Sequence, residues 1–249
     1  MSEVGEASEV GEARETMGTL LVSEVFGPTF QGEGPSLGTR AGFIRLGRCD
    51  LNCRWCDTPY TWDWKRFDPA VELRRIPVAD LLVQVADMAV PLVVITGGEP
   101  MLQQRHLVPL LAGLVDRGMR IEIETNGRHA PMADVAGLVA RFNVSPKLRH
   151  SDVDPDLAIR PDALARLAAL GSKRVAFKFV VAGPGDLAEV ADVVVRCRLD
   201  PATVWIMPEG TTAEQILDLG HSLAAPVLER GWHLTTRLQV LLWGDRRGV

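Results

Sequence analysis

Beyond residue 20 the chain alternates short β-branched or apolar runs with longer amphipathic stretches, a pattern that restricts it to β/α units around a parallel sheet. The runs at residues 21–26, 42–46, 92–95, 120–124, 141–144, 174–181 and 204–207 predict strands, and residues 238–242 predict a last one. Helical periodicity covers residues 78–88, 104–117, 134–140, 161–170, 186–198 and 212–229. Pro161 suits a first helical turn, and Gly118 and Gly171 each follow a helix as a stop. About six such units are too few for the eight of a closed TIM barrel. The predicted architecture is therefore α/β: an open, partial (β/α)6 TIM-like barrel with an extra C-terminal strand. In such folds functional groups gather on loops at the carboxyl ends of the strands.

Residues 2–13 repeat Ser-Glu-Val-Gly-Glu-Ala twice. Ordering each residue of this segment costs about 1 kcal/mol or more in backbone entropy. Burial of Val4 and Val10 returns only about 1.5–3 kcal/mol each. Residues 1–17 are expected to be a disordered tail, with Met17 as an alternative start, and residues 18–249 to form a single domain. A net charge of -5 without a long basic run gives no sign of nucleic acid or an anionic membrane as partner. No apolar stretch approaches the roughly 20 residues of a membrane span. The acidic N-terminus lacks the order of a signal peptide, so a cytoplasmic protein with reduced cysteines is expected.

Three of the four cysteines fall within Cys49-Asp50-Leu51-Asn52-Cys53-Arg54-Trp55-Cys56. A structural zinc site normally needs a second cysteine pair, which is missing here. Three thiolates on a four-iron cluster would leave one iron open for a ligand. The spacing, with Trp55 before the last cysteine, resembles the cluster loop of radical S-adenosylmethionine enzymes. A zinc knuckle and three unrelated buried cysteines are the alternatives. Cys197, alone on the apolar face of a predicted helix, reads as a small buried hydrophobe.

Other polar runs also end predicted strands. Thr96-Gly97-Gly98-Glu99-Pro100 offers close backbone approach and, at Glu99, an acceptor for a cationic amine. Taken alone, it is an ordinary turn. Glu124-Thr125-Asn126-Gly127 and Ser145-Pro146-Lys147 offer carboxylate, amide, hydroxyl and amine groups suited to ribose and carboxylate. A ligand-free tight turn at Asn126-Gly127 is the plain alternative. Met207-Pro208-Glu209-Gly210 is otherwise a loop before a helix.

Phe30-Gln31-Gly32-Glu33-Gly34 ahead of the cysteines, Asp57-Thr58 directly after Cys56, and Trp243-Gly244-Asp245 together resemble the 7-carboxy-7-deazaguanine synthase family over residues 20–249. The resemblance implies a radical enzyme that contracts 6-carboxy-5,6,7,8-tetrahydropterin to 7-carboxy-7-deazaguanine with release of ammonia, in deazapurine and queuosine biosynthesis. It implies a four-iron, four-sulfur cluster on Cys49, Cys53 and Cys56, and a magnesium ion on Thr58. Phe30, Gln31, Gly32, Arg45 and Thr96 match substrate positions, and Glu33 lies beside them. Trp55, Cys56, Asp57 and Gly98 match cofactor contacts, as do Ser145, Pro146 and Lys147, and then Met207, Pro208, Glu209 and Gly210. A flavodoxin- or ferredoxin-type electron donor and a homodimer follow from the same resemblance.

The side-chain chemistry agrees. Gln31 and Glu33 can read the donor and acceptor edge of a pterin. Arg45 has the planar fork that takes a carboxylate in pairs. A threonine hydroxyl with substrate oxygens suits magnesium, which keeps several waters. One stretch departs from the family pattern: the histidine that some members carry in the last strand is missing from residues 238–242, so no substrate role is assigned there. A glycyl-radical activating enzyme shares the cysteine spacing but acts on a protein. A non-catalytic metal-binding scaffold is the remaining alternative.

Overall fold

In the computed structural model, which describes residues 18–249, β1 (Thr19–Phe30) and β2 (Arg40–Leu46) form an antiparallel pair. The turn between them is closed by the Gln31 N–H donating to Thr39 O at 2.8 Å. β3 (Arg74–Pro77) pairs antiparallel with the outer side of β1. All further pairings are parallel, through β4 (Leu92–Gly97), β5 (Arg120–Thr125), β6 (Arg141–Val144), β7 (Val175–Val181), β8 (Val204–Pro208) and β9 (His233–Leu234). The strand order is β3-β1-β2-β4-β5-β6-β7-β8-β9, and the two end strands do not pair with each other. The expected open half-barrel is therefore present, with β2, β4, β5, β6, β7 and β8 as its six main parallel strands.

Helices α1 (Val78–Asp87), α2 (Gln104–Asp116), α3 (Ala133–Leu138), α4 (Pro161–Ala168), α5 (Asp186–Cys197) and α6 (Ala213–Glu229) connect the strands. Their apolar faces supply the outer layer of the core, for example Leu81, Val85, Leu107, Leu110 and Leu114, all fully buried. The N-terminus of α6 carries a capping box, with Thr212 accepting from the Gln215 N–H and the Gln215 side chain reaching back. Cys197 is buried within α5, as expected of a small hydrophobe.

Strand alternation builds the site. Successive side chains point to opposite faces, so Ile44 and Leu46, Ile121 and Ile123, and Phe177 and Phe179 enter the core with the helices. Their alternates Arg45, Glu124 and Lys178 line the concave side. Every residue of β7 is buried, so Lys178 is an ammonium inside an otherwise apolar strand.

Two expectations need correction or placement. Residues 238–242 are not a strand: Leu238–Trp243 forms α7, and the extra C-terminal strand is the two-residue β9. A five-residue apolar run does not distinguish strand from buried helix by periodicity, and Leu and Gln favour helix. The expected tail, residues 1–17, lies outside the described residues. Among those described, no helix is long and apolar enough to cross a membrane.

Candidate active site

A cavity of about 1050 Å³ opens at the carboxyl ends of the parallel strands. Cys49, Cys53 and Cys56 reach it from the loop that follows β2. Cys53 is buried, and Cys49 and Cys56 are half-buried. Two donors already address the sulfurs: the Leu51 N–H at 3.4 Å from Cys49 Sγ and Trp62 Nε1–H at 3.2 Å from Cys56 Sγ. Burial pushes the Cys49 thiol up to about 12 and raises that of Cys53. A bare thiolate is thus disfavoured, and the three sulfurs suit a cationic metal centre that compensates their charge. Among the described residues no group of three or more His, Cys, Asp or Glu side chains could hold a single metal ion. Thiolates on separate irons of one cluster need not converge on a single point.

The cysteine loop is fixed by its neighbours. Asp50 accepts from Asn126 Nδ2 at 2.9 Å and contacts Arg128 and His129, tying the loop to the end of β5. Gly97 and Gly98 pack against it rather than merely leaving room for a ligand. A Cβ on Gly98 would lie 2.1 Å from Arg48 O and 2.9 Å from Cys49 Cβ, and one on Gly97 2.2 Å from Leu46 O. Backbone bonds from Gly98 N–H to Leu46 O and from Glu99 N–H to Arg48 O complete the seam.

The substrate candidates Phe30, Gln31, Gly32, Glu33, Arg45 and Thr96 all line the cavity. Arg45 Nε donates to Glu24 Oε2 at 2.7 Å, and Tyr60 Oη donates to the same oxygen at 3.0 Å. Burial raises the Glu24 carboxyl, but Arg247, Arg45 and Tyr60 outweigh it and hold the group below its usual range. Glu33 sits between Lys178 Nζ, Arg237 Nε at 3.3 Å and Gln239 Nε2 at 2.8 Å. Burial raises this carboxyl too, yet Lys178 and Arg237 hold it down at about 2. Lys178 also reaches Glu124 Oε2 at 3.1 Å, while Gln31 Nε2 donates to Glu124 Oε1 at 3.1 Å. Buried beside two carboxylates, Lys178 stays protonated.

Of the cofactor candidates, Trp55, Asp57, Gly98, Glu124, Asn126, Ser145, Lys147, Met207, Glu209 and Gly210 line the same cavity. Trp55 stacks on His150, with ring centres 5.6 Å apart, and Lys147 Nζ lies 5.0 Å from the Trp55 ring centre. The buried Trp55 Nε1 and Gln239 Oε1 have no hydrogen-bond partner among the described residues, which leaves polar groups for a ligand to satisfy. Thr58 also lines the cavity, its Oγ1 3.7 Å from Cys56 Sγ.

Three candidates do not face the cavity. Pro146 and Pro208 are buried behind it. Glu99 is fully buried, and its carboxylate is taken by the Met101 N–H at 2.9 Å, Thr125 Oγ1 at 2.8 Å and the Asn126 N–H at 2.7 Å. It secures the turn after β4 and is not available to an amine. Conversely, Lys178, Arg237 and Gln239 line the cavity although no motif in the sequence marks them. The lysine inside Val-Ala-Phe-Lys-Phe-Val-Val is nonetheless a legible signal, whereas Gln239 lies within, and Arg237 directly before, the run at 238–242 that suggests a strand.

A half-barrel with three thiols at one strand end defines the radical S-adenosylmethionine class, and the Radical SAM superfamily matches residues 43–186. The 7-carboxy-7-deazaguanine synthase of Rhodopirellula baltica is 37% identical over 98% of this chain and 94% of its own length. That of Hyperthermus butylicus is 36% identical over 90% and 92%. The crystal structure of QueE from Escherichia coli superposes with a TM-score of 0.66 at 25% identity, covering 88% of this chain and 94% of that one. The chain belongs to the 7-carboxy-7-deazaguanine synthase family of radical S-adenosylmethionine enzymes.

Proposed function

We propose that this enzyme contracts the ring of 6-carboxy-5,6,7,8-tetrahydropterin to give 7-carboxy-7-deazaguanine and ammonia, a step of deazapurine and queuosine biosynthesis. The observation that carries the reading is that the thiols, Arg45 and the Gln31–Glu33–Glu124–Lys178 network line one cavity.

Cys49, Cys53 and Cys56 would hold a four-iron cluster. Trp55, Gly98, Asn126, Ser145, Lys147, Glu209 and Gly210 would border S-adenosylmethionine. Together these groups, when bound, supply the radical chemistry that the protein's own side chains cannot. The protein's part is binding, orientation and charge. Arg45 has its Nε engaged by Glu24 and makes no hydrogen bond from its two Nη groups among the described residues. Those Nη groups would take the pterin carboxylate as a bidentate pair. Glu33, kept ionised beside Lys178, and Glu124 would accept from the donors of the pterin ring, and Lys178 and Gln31 would donate to its oxygen. Thr58 would contribute one oxygen to a magnesium ion completed by substrate and water. Held in this way, the ring presents a fixed carbon to the cofactor and cannot tumble.

The reading further includes a flavodoxin- or ferredoxin-type electron donor, a homodimer and a cytoplasmic location. The test is an anaerobic assay of the cluster-loaded protein with 6-carboxytetrahydropterin, S-adenosylmethionine, reductant and magnesium. Formation of 7-carboxy-7-deazaguanine and ammonia is expected. Loading of a four-iron cluster without conversion of the pterin would sink the proposal, and Cys53→Ala should carry no such cluster.

A further inference from the structure

Arg237 touches both halves of the cavity, a position that no resemblance or comparison assigns a role. Its Nε donates to Glu33 Oε1 at 3.3 Å, on the substrate side. Its Nη2 donates at 2.5 Å to Oδ2 of Asp57, the single residue between Cys56 and Thr58. Its Nη1 donates to Gly210 O at 2.8 Å, at the end of β8 where the cofactor is expected. The Arg237 side chain is 11% exposed and Glu33 12%, so that contact is little weakened by solvent, whereas the Asp57 carboxylate is half-exposed and its contact is partly screened. Glu33, Asp57 and Gly210 lie far apart in sequence, and one rigid guanidinium fixes all three at once.

On the functional reading above, we infer that Arg237 is a positioning residue that couples pterin binding to S-adenosylmethionine binding. The planar fork makes this possible, because its donors hold a fixed angle to one another. A pterin that settles on Glu33 fixes the position of that carboxylate, and so of the guanidinium. The guanidinium in turn fixes Asp57 and the carbonyl of Gly210. Ordering one half-site therefore removes part of the ordering cost of the other. Linkage makes the effect reciprocal, so that each ligand tightens the other by the same factor. A lysine at this position keeps the charge but reaches one acceptor well and cannot join three.

The test uses cluster-loaded protein under anaerobic conditions without reductant, so that no turnover occurs. The affinity for S-adenosylmethionine is measured by equilibrium dialysis with and without 6-carboxytetrahydropterin, in the wild type, Arg237→Lys and Asp57→Asn. In the wild type the pterin should tighten S-adenosylmethionine binding about tenfold, within the usual range of coupling between sites. Arg237→Lys should abolish the coupling, and Asp57→Asn, which removes the charge from a single arm and so weakens it, should reduce it. Iron content and thermal unfolding are followed in parallel. Absence of coupling in the wild type overturns the inference, as does coupling of wild-type size in either variant that loads a full cluster. Loss of cluster loading in both variants would make Arg237 a structural clamp and would equally overturn it. The functional reading fails separately: only a wild type that never converts the pterin, once reductant is supplied, removes it.

Discussion

Arg45 and Glu33 show how this site prepares itself for a polar ligand. The Glu24 carboxylate holds the Nε edge of the Arg45 guanidinium, while its two Nη groups make no hydrogen bond among the described residues. Arg45→Lys should raise the KM for the pterin about tenfold or more, the worth of a charged hydrogen bond, with S-adenosylmethionine affinity unchanged; steady-state kinetics and dialysis check both. Glu33 titrates near 2 against a usual 4.5, so its pairing with Lys178 and Arg237 stabilises the fold fully above about pH 4.5. That contribution fades as the pH falls from 4.5 through 2 and amounts to about 3 kcal/mol at most. Urea unfolding of cluster-free protein should show this acid loss in the wild type. In Glu33→Gln the curve should be flatter between pH 5 and 3, and an unchanged slope would contradict the pairing.

Among the elements, the turn after β4 was read from its two glycines as a place for a ligand, but its tighter constraint is the cysteine loop. Gly98→Ala would drive a methyl group into Arg48 O and Cys49 Cβ. Overpacking of this kind costs about 1–3 kcal/mol or more, here paid in the geometry of the cluster loop. Iron and sulfide per chain should fall well below wild type after anaerobic reconstitution. The strands and main helices were legible because alternation and helical periodicity are local. Glu99 was not: its three donors come from Met101, Thr125 and Asn126, and a run of residues does not reveal which carboxylates the fold will consume. Nor was α7, whose short apolar run fits both periods.

At the scale of the molecule, the six main parallel strands and their helices followed from pattern and the cysteine loop from spacing, whereas β3, β9 and the antiparallel pairing of β1 did not. Nor did the ion pairs around the cavity, since Lys178 and Arg237 meet Glu33, and Arg247 meets Glu24, across most of the chain. Arg247 bonds Glu24 and lies 3.8 Å from the Tyr60 ring centre, one end of the sequence closing on the other. A chain begun at Met17 should keep its cluster and its pterin turnover within about twofold, because residues 1–17 bring too little apolar surface to offset their ordering; a larger loss would tie that segment to the site. The span of these contacts has a consequence for synthesis. Glu33 leaves the ribosome some 204 residues before Arg237, and the chain grows at roughly 5–20 residues per second. Arg237 follows Cys56 by 181 residues, so for roughly nine seconds or more of translation the thiols are already made while the wall that faces them is not. The cavity is therefore completed last, so a nascent chain exposes its cysteines to oxidants before it can shelter anything bound to them.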